Sequence, residues 1–130
     1  IAKFASAGGN LPEEKKALLK TLEDVQAMIG HMVGVAMESQ ENPKEIYKVG
    51  LSTSRLLMAT GDLIIAWLLL RQADIAQSKL ANAGKDTEFY NGKIASAKFF
   101  VRSVLPHISV ERAVVESETG EIMNIAESAF

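Results

Sequence analysis

Between Leu18 and Ala36 the apolar residues recur at alternating spacings of four and three: Leu18, Leu22, Val25, Ile29, Met32 and Ala36. One face of an α-helix carries such a series, whereas a strand alternates every second position. Asn10 is the expected N-cap of this helix. Pro12, Glu13 and Glu14 follow in the first turn, where proline is tolerated and negative charge suits the dipole. Lys16, Lys20, Glu23 and Asp24 are expected on its other faces. The helix should run out near Gln40, because Pro43 makes a new start easier than continuation. Met28 and Met32 are expected as core fillers, and Gly30 with Gly34 forms a small-x-x-x-small pair that would let another helix approach closely.

The segment from Pro43 to Asn82 holds the most apolar stretch, "RLLMATGDLIIAWLLLRQ" from Arg55 to Gln72. As one straight helix it would be about 60 Å long, too long for a compact domain of this size, so a break near Gly50 is expected. Gly84 suits the left-handed position after a helix end, and Asp86 should cap the next start. The third segment has helical spacing at Phe89, Ala97, Phe100, Val101, Val104 and Ile108, with a kink expected at Pro106. The closing "GEIMNIAESAF" reads as a short helix or tail whose Ile122, Ile125 and Phe130 would pin it to the bundle. No strand pattern or internal repeat occurs. The expectation is all-α: an antiparallel helical bundle of three to four main helices with short loops, spanning residues 11–130. The small, Gly-containing residues 1–10 read as a linker from a preceding domain, making the chain part of a longer polypeptide.

Composition narrows the chemistry. The 130 residues carry a formal charge of -2, which provides no basic field for a nucleic-acid backbone. The absence of cysteine removes disulfides, thiolate metal sites and cysteine nucleophiles. The uninterrupted apolar run is only Leu63 to Leu70, and Asp62 precedes it. A membrane span needs about 20 apolar residues, so the stretch is expected instead to be a central helix surrounded by others. Asp62 should then be buried and paired, with Arg55, Thr60 or Lys98 as partner. As a general base or cation ligand it lacks an accompanying acid, His or Cys. His31 is expected to be partly buried and His107 solvated, and neither follows a Glu by three residues, as a di-iron bundle requires. No nucleophile elbow, phosphate loop or dinucleotide fingerprint is present. Glu111, Glu116, Glu118 and Glu121 read as a solvated acidic face, and Phe99 and Phe100 as core or interdomain anchors. Thus no catalytic, cofactor-binding or metal-ligating residue is expected. Arg55, Asp62, Trp67 and Arg71 are the candidates for interhelical or interdomain anchoring.

Three runs carry a likeness: "YKVGLSTSRLLMATGDLIIAWLLLRQADIA" from Tyr47 to Ala76, "DTEFYNGKIASAKFFVRSVLP" from Asp86 to Pro106, and the closing "AESAF". Gly61, Asp62 and Trp67, then Phe89, Tyr90, Lys93, Ala97 and Phe100, then Leu105 and Pro106, give it its detail. In these the chain resembles the C-terminal helical extension of the large bacterial acyl-CoA dehydrogenases. It departs from them at Ile125 and Ala126, where similar proteins usually carry a proline. The resemblance implies a cytoplasmic parent enzyme of fatty acid metabolism that uses FAD to take two hydrogens from the α and β carbons of an acyl-CoA thioester. It implies that the flavin site and the glutamate base lie in the dehydrogenase core, upstream of this segment, and that the extension packs on that core in a homodimer. The alternative is a free-standing helical interaction module without catalytic activity.

Overall fold

The computed structural model describes residues 1–130, and every regular element in it is helical. Five α-helices follow in order: α1 (Ala2–Ala5), α2 (Pro12–Glu38), α3 (Ile46–Lys79), α4 (Thr87–Ser103) and α5 (Pro106–Glu116). Short 3-10 turns at Pro43–Glu45, Leu80–Asn82 and Gly84–Asp86 join the long helices, and two more, Glu121–Asn124 and Glu127–Ala129, end the chain. Helix α3 packs along α2 on one side and α4 on the other, while α5 closes chiefly against α2. Their shared core holds Leu18, Val25, Met28, Leu63, Leu70, Val101, Ile108 and Val115, with Ala59, Ala66, Ala73 and Ala97 where helices meet closely. The result is an all-α helical bundle with short loops.

Helix α2 turns a different face inward from the one its spacing suggests. The buried series is Leu18, Thr21, Val25, Met28, Met32 and Val35; Ile29 is exposed and Leu22 and Ala36 are half-buried. Only Leu18, Val25 and Met32 belong to both series. Thr21 enters the core without penalty because its hydroxyl donates to the Ala17 carbonyl at 2.9 Å. The N-cap is Leu11, not Asn10. Leu11 takes the left-handed conformation (φ 59, ψ 48), which costs a branched residue about 1 kcal/mol or more; its side chain is buried, which holds it there. Asn10 instead donates its amide across to α3, to the Asp74 carbonyl and Ser78 Oγ at 3.4 and 3.2 Å.

The expected break near Gly50 does not occur. Helix α3 runs unbroken for 34 residues, about 51 Å. Gly50 keeps its amide and faces open space, so it weakens the helix by about 1 kcal/mol relative to alanine without interrupting it. Gly84 does adopt the left-handed conformation (φ 52), but Asp86 makes no capping bond, and Thr87 Oγ1 donates to the Gly84 carbonyl instead. Before Pro106 the Val104 N–H still donates to the Phe100 carbonyl at 2.9 Å; the bonds after it, His107 to Val104 and Ile108 to Leu105, span only three residues, and proline opens α5 at its first turn.

The two ends also differ from expectation. Within residues 1–10, Ala2–Ala5 form a helical turn; Ala5 is buried and Ile1 and Phe4 pack against the core. At the other end Ile122, Ile125 and Phe130 are exposed and pin nothing. The tail touches the bundle at Gly120 (φ 71), which lies against the Lys48 side chain, and at Asn124, whose Oδ1 accepts from Lys44 Nζ at 3.2 Å. Gly30 and Gly34 face open space, so no helix of this chain uses the approach they offer.

Candidate functional site

The most deeply buried carboxylate of this bundle is Asp24, not Asp62. Asp24 is 1% exposed. It accepts from Lys20 Nζ one turn earlier, from Ser109 Oγ at 2.7 Å and from Arg112 Nη1 at 3.1 Å, which ties α2 to α5. Burial alone would raise its pKa. The bonds from Lys20, Ser109 and Arg112 outweigh that and hold it below its ordinary value of 3.8, while Glu116 and Asp24 hold the Arg112 guanidinium pKa up. The sequence pattern places Asp24 on a face other than the apolar stripe. The missed signal was its place three residues after Thr21 and four before Met28, on the side of the helix that is in fact buried.

Two further buried charges anchor the first turn of α2. Lys15 is 4% exposed; it reaches the Ala7 and Gly8 carbonyls at 3.5 and 3.4 Å, lies 3.5 Å from Asp74 and covers the Phe4 ring. Glu14 is buried beside Arg102 of α4 at 3.7 Å. These contacts cross between elements and organise the fold.

The four residues singled out from sequence all lie on α3 and fall into two pairs, Arg55 with Asp62 along one groove and Trp67 with Arg71 in contact. Arg55 pairs with Glu111 of α5, at the surface. Asp62 is half-buried, and neither Arg55, Thr60 nor Lys98 partners it: Arg55 is taken by Glu111, and the Thr60 hydroxyl donates to the Leu56 carbonyl. Asp62 opens into a groove between α3 and α5 of 270 Å³, shared with Ser54, Arg55, Met58, His107 and Glu111. Trp67 is half-buried; its ring lies under the Arg71 guanidinium at 5.3 Å, and its indole N–H is buried without a partner. His31 is half-buried and His107 exposed, Glu111 and Glu116 are engaged by Arg55 and Arg112, and Phe99 is exposed rather than packed.

The largest departure is α3 itself, which its neighbours do not surround. Within Pro43–Asn82 the most apolar window has a mean hydropathy of 1.4, and only 22% of it is buried. By length and composition this one helix would suffice to cross a membrane, although its opposite face is packed against α2 and α4. Leu57, Met58, Ile64, Ile65, Leu68 and Ile75 stand exposed, Leu57 to 70%. Such a patch is a contact surface until something covers it.

No group of three or more His, Asp or Glu side chains converges on a metal position. The larger concavities, of 300 and 270 Å³, are shallow surface features, one at the Ala5–Gly9 turn and one at the Asp62 groove. A ligand the size of a flavin dinucleotide needs an enclosing site toward the upper end of the range from roughly 300 to 1,000 Å³. The residues of this chain therefore do not fit FAD.

The family described as "Acetyl-CoA dehydrogenase C-terminal like" matches residues 1–126. The broad-specificity linear acyl-CoA dehydrogenase FadE5 of Mycobacterium tuberculosis is 42% identical over 135 residues, which takes in 100% of this chain and 22% of that protein, in its C-terminal region. A butyryl-CoA dehydrogenase of Syntrophomonas wolfei is 38% identical over 86 residues, 63% of this chain and 14% of that enzyme. The 3-methylmercaptopropionyl-CoA dehydrogenase of Ruegeria pomeroyi is 40% identical over 65 residues, 50% and 11% respectively. The chain thus spans about a fifth or less of the length of these relatives. The chain, an all-helical bundle matched from its first residue to Ala126, belongs to the acyl-CoA dehydrogenase C-terminal family.

Proposed function

We propose that this chain is the C-terminal accessory domain of an FAD-dependent acyl-CoA dehydrogenase, a cytoplasmic homodimer of fatty acid metabolism. The upstream core of the same polypeptide binds FAD and the acyl-CoA thioester and carries out the α,β-dehydrogenation. The accessory domain contributes packing and assembly, with Arg55, Asp62, Trp67 and Arg71 at or beside its contact surface. The observation that carries this reading is the match over all of this chain to only 22% of FadE5. The exposed apolar face of α3 supports it, because a domain built to be covered has no reason to solvate that face.

The experiment uses the complete reading frame that contains this sequence. The purified full-length protein is expected to be yellow, and straight-chain acyl-CoA thioesters should bleach its flavin without added oxidant. Residues 1–130 alone should be colourless. A full-length protein whose flavin no acyl-CoA thioester reduces would sink the proposal. So would a complete reading frame little longer than these residues, which would leave a free-standing helical interaction module.

A further inference from the structure

The exposed face of α3 has an order of its own. Tyr47, Leu51, Ser54, Met58, Gly61, Ile65, Leu68, Gln72 and Ile75 follow strict four-three spacing, and none of them is charged. All are exposed except Gly61, which is half-buried. The 29 positions from Tyr47 to Ile75 cover about 42 Å of helix. Four-three spacing along a straight helix marks a seam for a second helix crossing at a shallow angle of about 20°. The buried positions of the same helix, Ala59, Leu63, Ala66, Leu70 and Ala73, already serve α2 and α4, so this seam is a second one. It is met within the chain only at its borders, where Gln72 accepts from Lys93 Nζ and Ser54 and Met58 edge the α5 groove. Near its centre Ser54 and Gly61 are small, and a Cβ added at Gly61 would meet nothing within 4 Å, which leaves room for a neighbour's backbone or a large side chain.

The rim carries the charge. Arg55 and Asp62, two turns apart, lie along one border of the seam and Arg71 along the other. Flanking charges of this kind set which partner binds and in which direction. Asp62, half-buried with Arg55 committed to Glu111, is the rim group left for a cation from outside.

The geometry points to a helix of the rest of the same polypeptide, docked lengthwise in this seam with its apolar knobs over Ser54 and Gly61 and a cationic side chain at Asp62. This rests on the proposed function, since it needs the upstream chain. Each relative continues well beyond the matched region, which takes up 22%, 14% and 11% of their lengths. A tethered partner meets the seam at an effective concentration of about a millimolar, which no free protein matches. The apolar surface is also broader than one seam: Ile46, Leu57 and Ile64 are exposed beside it. A partner with several packed elements covers that breadth.

Carbene footprinting of side chains tests the inference on full-length protein and on residues 1–130, across a dilution series and with and without anionic phospholipid vesicles. Labelling of Leu57, Met58, Ile65 and Leu68 should fall at least about fivefold in the full-length chain at every dilution. Exposed Phe99, on α4, serves as the reference. The double variant Gly61→Leu, Leu68→Lys should restore labelling in the full-length protein while leaving the cooperativity of thermal unfolding of residues 1–130 intact. Equal labelling in both chains would overturn the inference. Protection of residues 1–130 that appears only on concentration would overturn it in favour of a second copy, and protection only with vesicles in favour of a lipid surface. Flavin content and acyl-CoA bleaching, read on the same preparation, report separately on the proposed function.

Discussion

Asp24→Ala is the substitution whose cost the structure defines best. The side chain is 2% exposed and accepts three hydrogen bonds, from Lys20, Ser109 and Arg112. Truncating one partner of a buried charge pair costs about 3 to 5 kcal/mol when the other charge stays buried. Here the cost is smaller, because the Lys20 and Arg112 side chains are 57% and 36% exposed and return to water. A buried carboxylate's lost bonds and a small cavity then leave about 2 to 3 kcal/mol. That corresponds to a fall in melting temperature of roughly 6 to 12 °C for a chain of this length. Urea denaturation of residues 1–130, with the slope unchanged, measures it. The pH dependence gives an independent check. The folded pKa lies below the ordinary 3.8, so the stabilisation is present above about pH 4 and is lost as pH falls through the folded value. The gap between wild type and Asp24→Asn should therefore be widest at neutral pH and narrow as the pH falls below the ordinary 3.8. A loss under about 0.5 kcal/mol for Asp24→Ala, or a gap for Asp24→Asn that does not change with pH, would refute the account of this cluster.

Other outcomes follow from burial and backbone geometry. Leu70→Ala, at a position 0% exposed in the core, should destabilise the bundle by about 2 to 5 kcal/mol in the same urea assay. Gly50→Ala should stabilise residues 1–130 by roughly 0.5 to 1 kcal/mol, since the glycine is helical, exposed and unobstructed. Removing residues 121–130, all of them exposed, should change calorimetric stability by less than about 0.5 kcal/mol. Gly120→Val should cost more than that deletion, because its φ of 71 and the Lys48 side chain 3.2 Å from a Cβ both oppose a branched residue.

The helical class, the position of the long helices and the core roles of Met28 and Met32 were legible in the periodicity. The phase of the helices was not. Between Val25 and Met37 helix α2 carries no ionisable residue except His31, so several faces are equally apolar and the spacing of Leu18, Val25 and Met32 fits two of them. Packing chose the face that includes Thr21 and Asp24, whose polar groups are satisfied by Ala17, Ser109 and Arg112. The same degeneracy hid the true state of α3. A helix apolar on nearly every side reads as fully buried, yet a three-helix arrangement covers only part of its circumference, and Leu57 and Met58 stay in solvent. With α3 half uncovered, Asp62 did not need the internal partner that burial would have demanded. The tail differs too: Ile122, Ile125 and Phe130 have apolar spacing but stay in solvent, and Gly120 and Asn124 make its contacts with the bundle.

The central claim is that these residues form a scaffold and another part of the polypeptide holds the flavin. Limited proteolysis of the full-length enzyme, followed by chromatography that follows flavin absorbance and protein mass together, tests it most directly. The account predicts that all flavin elutes with the upstream fragment, still bleached by acyl-CoA, while residues 1–130 elute colourless and folded. Flavin eluting in equimolar amount with residues 1–130 would contradict it.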